Sequence, residues 1–137
     1  MANDTPEEFL AEANIAVLAT IDRRGKPHAA PIWYLYEDGE IIMSTGRNSI
    51  KHRNIGSYPD VTFVVDRREI PYYAVMVHGM ARIIPKPLDA ERRLRMATRY
   101  LGEDLAKRYI ESRPDEDSVT IRLRPERISE YKSPSRV

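Results

Sequence analysis

The stretch His28-Ala29-Ala30-Pro31-Ile32-Trp33-Tyr34-Leu35-Tyr36-Glu37-Asp38-Gly39-Glu40-Ile41-Ile42-Met43-Ser44-Thr45 carries the reading on which the fold turns. Residues 28–36 and 40–45 are rich in β-branched, aromatic and apolar side chains. Between them, Asp38-Gly39 supplies the pair that takes positive φ in a tight hairpin. Two antiparallel strands are predicted. Pro31 cannot donate to a ladder, so the first strand belongs at a sheet edge or a bulge.

The same periodicity extends in both directions. Residues 15–21 are apolar on both faces except at Thr20, the pattern of a strand buried in a barrel or sheet centre. Asp22-Arg23-Arg24-Gly25-Lys26-Pro27 makes the turn that follows it. Further upstream, Thr5-Pro6-Glu7-Glu8 has the spacing of a capping box with proline at the first helical position, which starts a short helix to about residue 13. Downstream, Gly46-Arg47-Asn48-Ser49 breaks the strand pattern, and residues 50–57 form one or two helical turns that Tyr58-Pro59-Asp60 ends. Residues 61–66 are a fourth strand and 72–84 a long fifth, with Gly79 marking a bulge or a close approach. Residues 88–112 change to helix formers, with Leu94, Ala97, Tyr100 and Leu101 on one stripe and arginines opposite; Gly102 divides this insert in two. Residues 119–123 alternate as a closing strand that 127–131 can continue past Pro125, and 133–137 read as a loose tail.

One domain over residues 1–137 is expected, mainly β: an antiparallel barrel with peripheral helices, because closure removes the edges that so many short strands would expose. With 22 Lys+Arg against 21 Asp+Glu, the net charge of +1 creates no long-range field for nucleic acid or an anionic membrane. Cysteine is absent, which excludes disulfides and thiol chemistry. No run is long and apolar enough to span a membrane, and the acidic N-terminus is unlike a signal peptide, so a cytoplasmic protein is expected.

Phosphate-loop, dinucleotide, zinc-protease and nucleophile-elbow motifs are missing. His28, His52 and His78 fall on different elements without ligand spacing, so no metal site is expected. A chain poor in acid, base and nucleophile clusters fits a bound cofactor that carries the reaction. The best candidate is Ser44-Thr45-Gly46-Arg47-Asn48-Ser49-Ile50-Lys51-His52-Arg53-Asn54, where hydroxyls at Ser44, Thr45 and Ser49 precede Lys51 and Arg53 at a short helix; a phosphate takes such donors, and so does plain solvent at a basic turn. Around Pro31, the backbone from Ala30 to Trp33 could face a planar ring, whereas Trp33 and Tyr34 could equally be core or interface aromatics. In Asp66-Arg67-Arg68-Glu69-Ile70-Pro71-Tyr72-Tyr73, Arg67 or Arg68 could meet acidic ligand groups and Tyr73 border a pocket, or the segment is an ordinary hairpin loop.

The ordered set Val17-Leu18-Ala19-Thr20-Ile21, Gly25-Lys26-Pro27-His28, Pro31-Ile32-Trp33-Tyr34, Ser44-Thr45-Gly46, Lys51-His52-Arg53-Asn54-Ile55 and Pro59-Asp60-Val61 resembles the pyridoxamine 5'-phosphate oxidase-like split-barrel superfamily. Within it the chain is similar to the flavin/deazaflavin oxidoreductases, many of which use coenzyme F420. The likeness runs from about residue 9 to 84, and Arg122-Leu123-Arg124-Pro125-Glu126-Arg127-Ile128 is similar to the family's closing strand. The resemblance implies an FMN-binding-type split barrel that works as a homodimer, with two cofactor sites at the subunit interface. By position, Ser44, Thr45, Lys51 and Arg53 would hold the cofactor phosphate. His28, Pro31, Ile32 and Trp33 would lie along the ring, and Tyr73 and His78 would come from the partner subunit.

The implied activity is an F420-dependent reductase transferring hydride to a small planar substrate, with an FMN-dependent oxidoreductase as the alternative and a cofactor carrier without turnover as the third reading. The Lys51-x-Arg53-Asn54 spacing is closer to the deazaflavin group than to true pyridoxamine phosphate oxidases. The long arginine- and tryptophan-bearing C-terminal extension of those oxidases is not found before Val137, so pyridoxal phosphate synthesis is not expected.

Overall fold

A computed structural model describes residues 5–133. In chain order the elements are α1 (Pro6–Leu10), β1 (Ala16–Ile21), β2 (Pro27–Ile32), β3 (Leu35–Glu37), β4 (Glu40–Gly46), α2 (Ile50–Ser57), β5 (Asp60–Arg67), β6 (Tyr73–Ile84), α3 (Ala90–Leu101), α4 (Glu103–Ser112) and β7 (Ser118–Lys132). Every strand pair is antiparallel, in one curled sheet of order β2-β1-β5-β6-β7-β4-β3. The mainly β, split-barrel expectation agrees with this architecture. Among the described residues no helix is long and apolar enough to cross a membrane.

The concave face buries Leu18, Ile41, Met43, Phe63, Val65, Val75, Val77, Ile121 and Leu123, which alternate along their strands as a half-buried sheet requires. Phe9 and Leu10 from α1 close one end of this core, and Phe9 meets Tyr73 edge-to-face at 5.0 Å. A smaller cluster of Leu35, Ile42 and Met96 lies under α3, with Trp33, Leu88 and Tyr100 against it. At the start of β4 the buried Glu40 carboxylate accepts from Arg122 Nε at 3.0 Å, Arg124 Nη2 at 2.9 Å and Arg82 Nη2 at 3.4 Å.

Several elements fall as their residues predict. Thr5 and Glu8 form the reciprocal capping box, the 50–57 helix has the predicted bounds, and Gly102 separates α3 from α4 at φ 83°. The strand register shifts between His78 and Gly79, and Gly79 pairs with Pro125, so β7 runs unbroken through its proline at a bulge. Pro31 lies on β2, an edge strand.

Four expectations are corrected. The predicted 28–36 strand is two strands, broken at Trp33-Tyr34, because the Tyr34 N–H donates to the Tyr100 hydroxyl of α3 (3.2 Å) instead of continuing a ladder. The first helix ends at Leu10, and the carbonyls of Ala11 and Glu12 accept from Arg99 at 2.9 and 2.7 Å. β1 is buried on one face only: Val17 and Ile21, with Ile15 just before the strand, are 38%, 37% and 57% exposed, since none of the described residues covers the convex side. In α3 the inward positions are Met96 and Ala97, whereas Leu94 is exposed. Of the 133–137 tail, only Ser133 lies within the described residues; its N–H donates to the Tyr72 carbonyl at 3.1 Å.

Candidate functional site

Ser44 and Thr45 end β4, where the chain leaves the sheet for α2. Thr45 Oγ1 and Ser49 Oγ are 2.9 Å apart, and Ser49 caps α2 by accepting from the His52 N–H at 3.2 Å. Asn48 turns the loop at φ 66° and donates its N–H to His52 Nδ1 at 2.9 Å. One turn later the buried Asn54 amide donates to Thr20 Oγ1 at 3.0 Å, which fastens α2 to β1. Polar bonds at its N-cap and at its middle thus fix how α2 presents Lys51 and Arg53.

Two cavities flank this loop and helix. The first, about 440 Å³, brings Ser44 and Thr45 together with Trp33, against Met96 and Tyr109 of the helical insert. Trp33 stacks on Tyr100 at 4.9 Å with an 8° interplanar angle and leans on Tyr109 at 5.5 Å, so the indole is fixed as a wall. Arg93 also lines the cavity, but its guanidinium pairs with Asp115 at 3.4 Å and donates to the Ile110 and Arg113 carbonyls, so its charge holds α3, α4 and the following loop together. The second cavity, about 920 Å³, lies between the β1–β2 turn and α2 and brings His28 and Arg53 together with Arg23, Arg24 and Lys26. His28 Nδ1 is buried there without a hydrogen-bond partner.

The other expected residues sit apart. Pro31 is exposed on β2 opposite Val17, whereas the Ile32 side chain is in the core, so at Ile32 only backbone can meet a ligand. Lys51 is half-buried on α2 and lines neither cavity. His78 lines a third hollow of about 380 Å³, its Nδ1 3.2 Å from Thr62 Oγ1. Tyr73 is 2% exposed, and its hydroxyl donates to Glu130 at 2.6 Å inside the structural frame. Sequence reading missed Tyr109 and Arg113 on the first cavity and Arg23, Arg24 and Lys26 on the second. The former arrive only because the insert folds back over β4; the latter were visible as a charged turn, with no sign that α2 faces it. Among the described residues no cluster of three or more His, Asp or Glu is placed to hold a metal.

Comparison with known proteins bears on the fold and the family. No curated protein matches the chain. A solved F420 reductase is 27% identical, with 93% of this chain and 98% of that one covered and a TM-score of 0.78. The conserved hypothetical protein Rv2991 from Mycobacterium tuberculosis is 26% identical over 96% of this chain and 85% of its own, with a TM-score of 0.75. General Stress Protein 26 from Bacillus anthracis is 25% identical over 91% and 90%, with a TM-score of 0.65. The sequence model of pyridoxamine 5'-phosphate oxidase matches residues 3–132, nearly the whole length, and with the antiparallel split-barrel sheet it establishes that the chain belongs to the pyridoxamine 5'-phosphate oxidase family.

Proposed function

We propose that this chain is a homodimeric oxidoreductase that binds a flavin-type cofactor, the deazaflavin F420 foremost and FMN as the alternative, and reduces a small planar, conjugated substrate. The observation that carries the reading is the meeting of the fixed Trp33 indole with the Ser44 and Thr45 hydroxyls on one cavity, beside a capped helix bearing Lys51 and Arg53. A flat aromatic wall next to hydroxyls and cations is the donor set that a ring system with a phosphate tail needs. The similarity to an F420 reductase over nearly the full length of both chains favours the deazaflavin.

When bound, the cofactor supplies hydride transfer, and the residues of this chain supply position and electrostatics. Ser44 and Thr45 anchor the phosphate from the Trp33 cavity, Lys51 and Arg53 on the adjoining α2 supply positive charge beside it, and backbone of residues 28–33 borders the ring edge. The insert wall at Trp33, Met96 and Tyr109 shields one side from water, which strengthens each polar contact inside. The convex face of β1, where Ile15, Val17 and Ile21 are exposed, is the surface a second copy would cover, and His78 on β6, beyond the intervening β5, is the residue best placed to reach the partner's site. Tyr73, enclosed in the core, drops out of the proposal. The cytoplasm is the compartment that suits a cysteine-free chain with this chemistry.

The test is a thermal-shift titration with F420 and FMN in parallel. A saturable rise with F420 is expected, equivalent to about 2.7 kcal/mol at a hundredfold excess over its dissociation constant. Lys51→Ala should remove most of that rise. A rise with FMN alone selects the alternative cofactor, and no rise with either overturns the cofactor reading.

A further inference from the structure

We infer that the concavity between the β1–β2 turn and α2 is a subsite for a polyanion, a ligand or ligand segment carrying two or more phosphate or carboxylate groups. It relies on the cofactor reading only in placing His28 and Arg53 on a shared ligand surface; the polyanion subsite itself stands on the turn. Four cations line it, Arg23, Arg24, Lys26 and Arg53, and the one carboxylate among its lining residues is Asp22. That carboxylate is already engaged: Asp22 Oδ1 accepts from the N–H groups of Arg24 at 2.8 Å and Lys26 at 2.9 Å, which lowers its pKa, the Lys26 bond first.

The four cationic side chains have no ion-pair or hydrogen-bond partner among the described residues, in contrast to Arg82, Arg92, Arg95 and Arg122, each of which holds a carboxylate. Four cations against the single Asp22 carboxylate leave the hollow with an excess of positive charge, which repels itself and raises the local anion concentration. The hollow is also built. The turn is closed by Asp22 N–H to the Lys26 carbonyl and Gly25 N–H to the Asp22 carbonyl, both 2.9 Å, with Gly25 at φ 82°. The opposite wall, α2, is pinned to β1 by the buried Asn54–Thr20 bond. Between them the His28 ring forms part of the lining. A single phosphate engages two or three donors, so cations spread over a hollow of about 920 Å³ suit several linked anionic groups.

The test titrates inorganic pyrophosphate and orthophosphate into the flavin-free protein by calorimetry. Pyrophosphate is expected to bind at least about tenfold more tightly than orthophosphate, as one added charge-assisted contact implies, and progressively less tightly as salt is raised. The double variant Arg23→Gln/Arg24→Gln leaves the Asp22 and Gly25 turn bonds intact and should lose at least about tenfold in pyrophosphate affinity, while Arg108→Gln on the exposed side of α4 should lose none. FMN and FAD separate the two sources of the polyanion. If the charges belong to the cofactor, the double variant weakens FAD and spares FMN; if they belong to a separate ligand, pyrophosphate binds the FMN-loaded protein and FAD affinity is unchanged. Both outcomes support the subsite. No saturable pyrophosphate binding, or equal affinity in parent and double variant, overturns it. A protein that binds no flavin but does bind pyrophosphate through Arg23 and Arg24 would refute the cofactor reading and keep the subsite.

Discussion

At Gly79 the backbone of β6 comes so close to β7 that a Cβ would lie 2.5 Å from the Arg124 carbonyl oxygen and 3.1 Å from Leu123 Cδ1. The carbonyl belongs to a paired strand and cannot swing aside as a side-chain end can, so relief requires the register itself to move. Gly79→Ala should therefore cost about 3 kcal/mol or more, measured by urea unfolding; a loss under about 0.5 kcal/mol would mean that the bulge simply relaxes. The sequence announces this residue, because a glycine weakens a strand interior and is kept there where a bulge or a close backbone approach requires it. It gives no such notice for Tyr73. The neighbours that enclose it, Phe9 and Glu130, are far away in the chain, and an adjacent pair of tyrosines reads equally well as pocket or core.

Among the elements, β4, β6 and β7 share a charge cluster that makes their contact pH-sensitive. Hydrogen bonding from Arg122, and secondarily from Arg124, holds the Glu40 carboxyl below its ordinary pKa despite burial, which acts in the opposite direction. A group depressed in the folded state contributes fully above its unfolded value and loses that contribution as pH falls through the folded one. Stability should thus decline from about pH 4.3 downward, and Glu40→Gln should flatten that decline while costing about 1–2 kcal/mol at neutral pH. Equal acid profiles for variant and parent would remove Glu40 from the cause. Strand and helix positions were largely legible because period, caps and turn glycines are local signals: Thr5-Pro6-Glu7-Glu8, Asp38-Gly39 and Gly102 each act within a few residues. The break at Trp33-Tyr34 was not, since it is imposed by a tyrosine hydroxyl 66 residues away. The loop 44–54 was legible as a donor-rich segment, but its division between two cavities depends on which faces of α2 meet β1 and β4.

For the molecule as a whole, the decisive surface is the convex side of β1, where Val17 stands opposite Pro31 on one neighbour and Val64 on the other. Apolar side chains in such a row are stabilised by removal from water at about 25 cal/mol per Å². The melting temperature should accordingly rise with protein concentration, and Val17→Asp should shift the protein to monomer in analytical ultracentrifugation while leaving its far-UV circular dichroism unchanged. A parent that sediments as monomer at every concentration would reject the homodimer. The face is readable as apolar in sequence, but residues 15–21 read as buried on both sides, whereas Ile15, Val17 and Ile21 are exposed; the proposed second copy would account for that difference. Finally, Trp33 is the chain's one tryptophan and is clasped between β4's cavity and the tyrosines of α3 and α4. Its fluorescence therefore reports how firmly the helical insert is seated, so undocking of that flap can be followed by emission wavelength alone, separately from melting of the barrel.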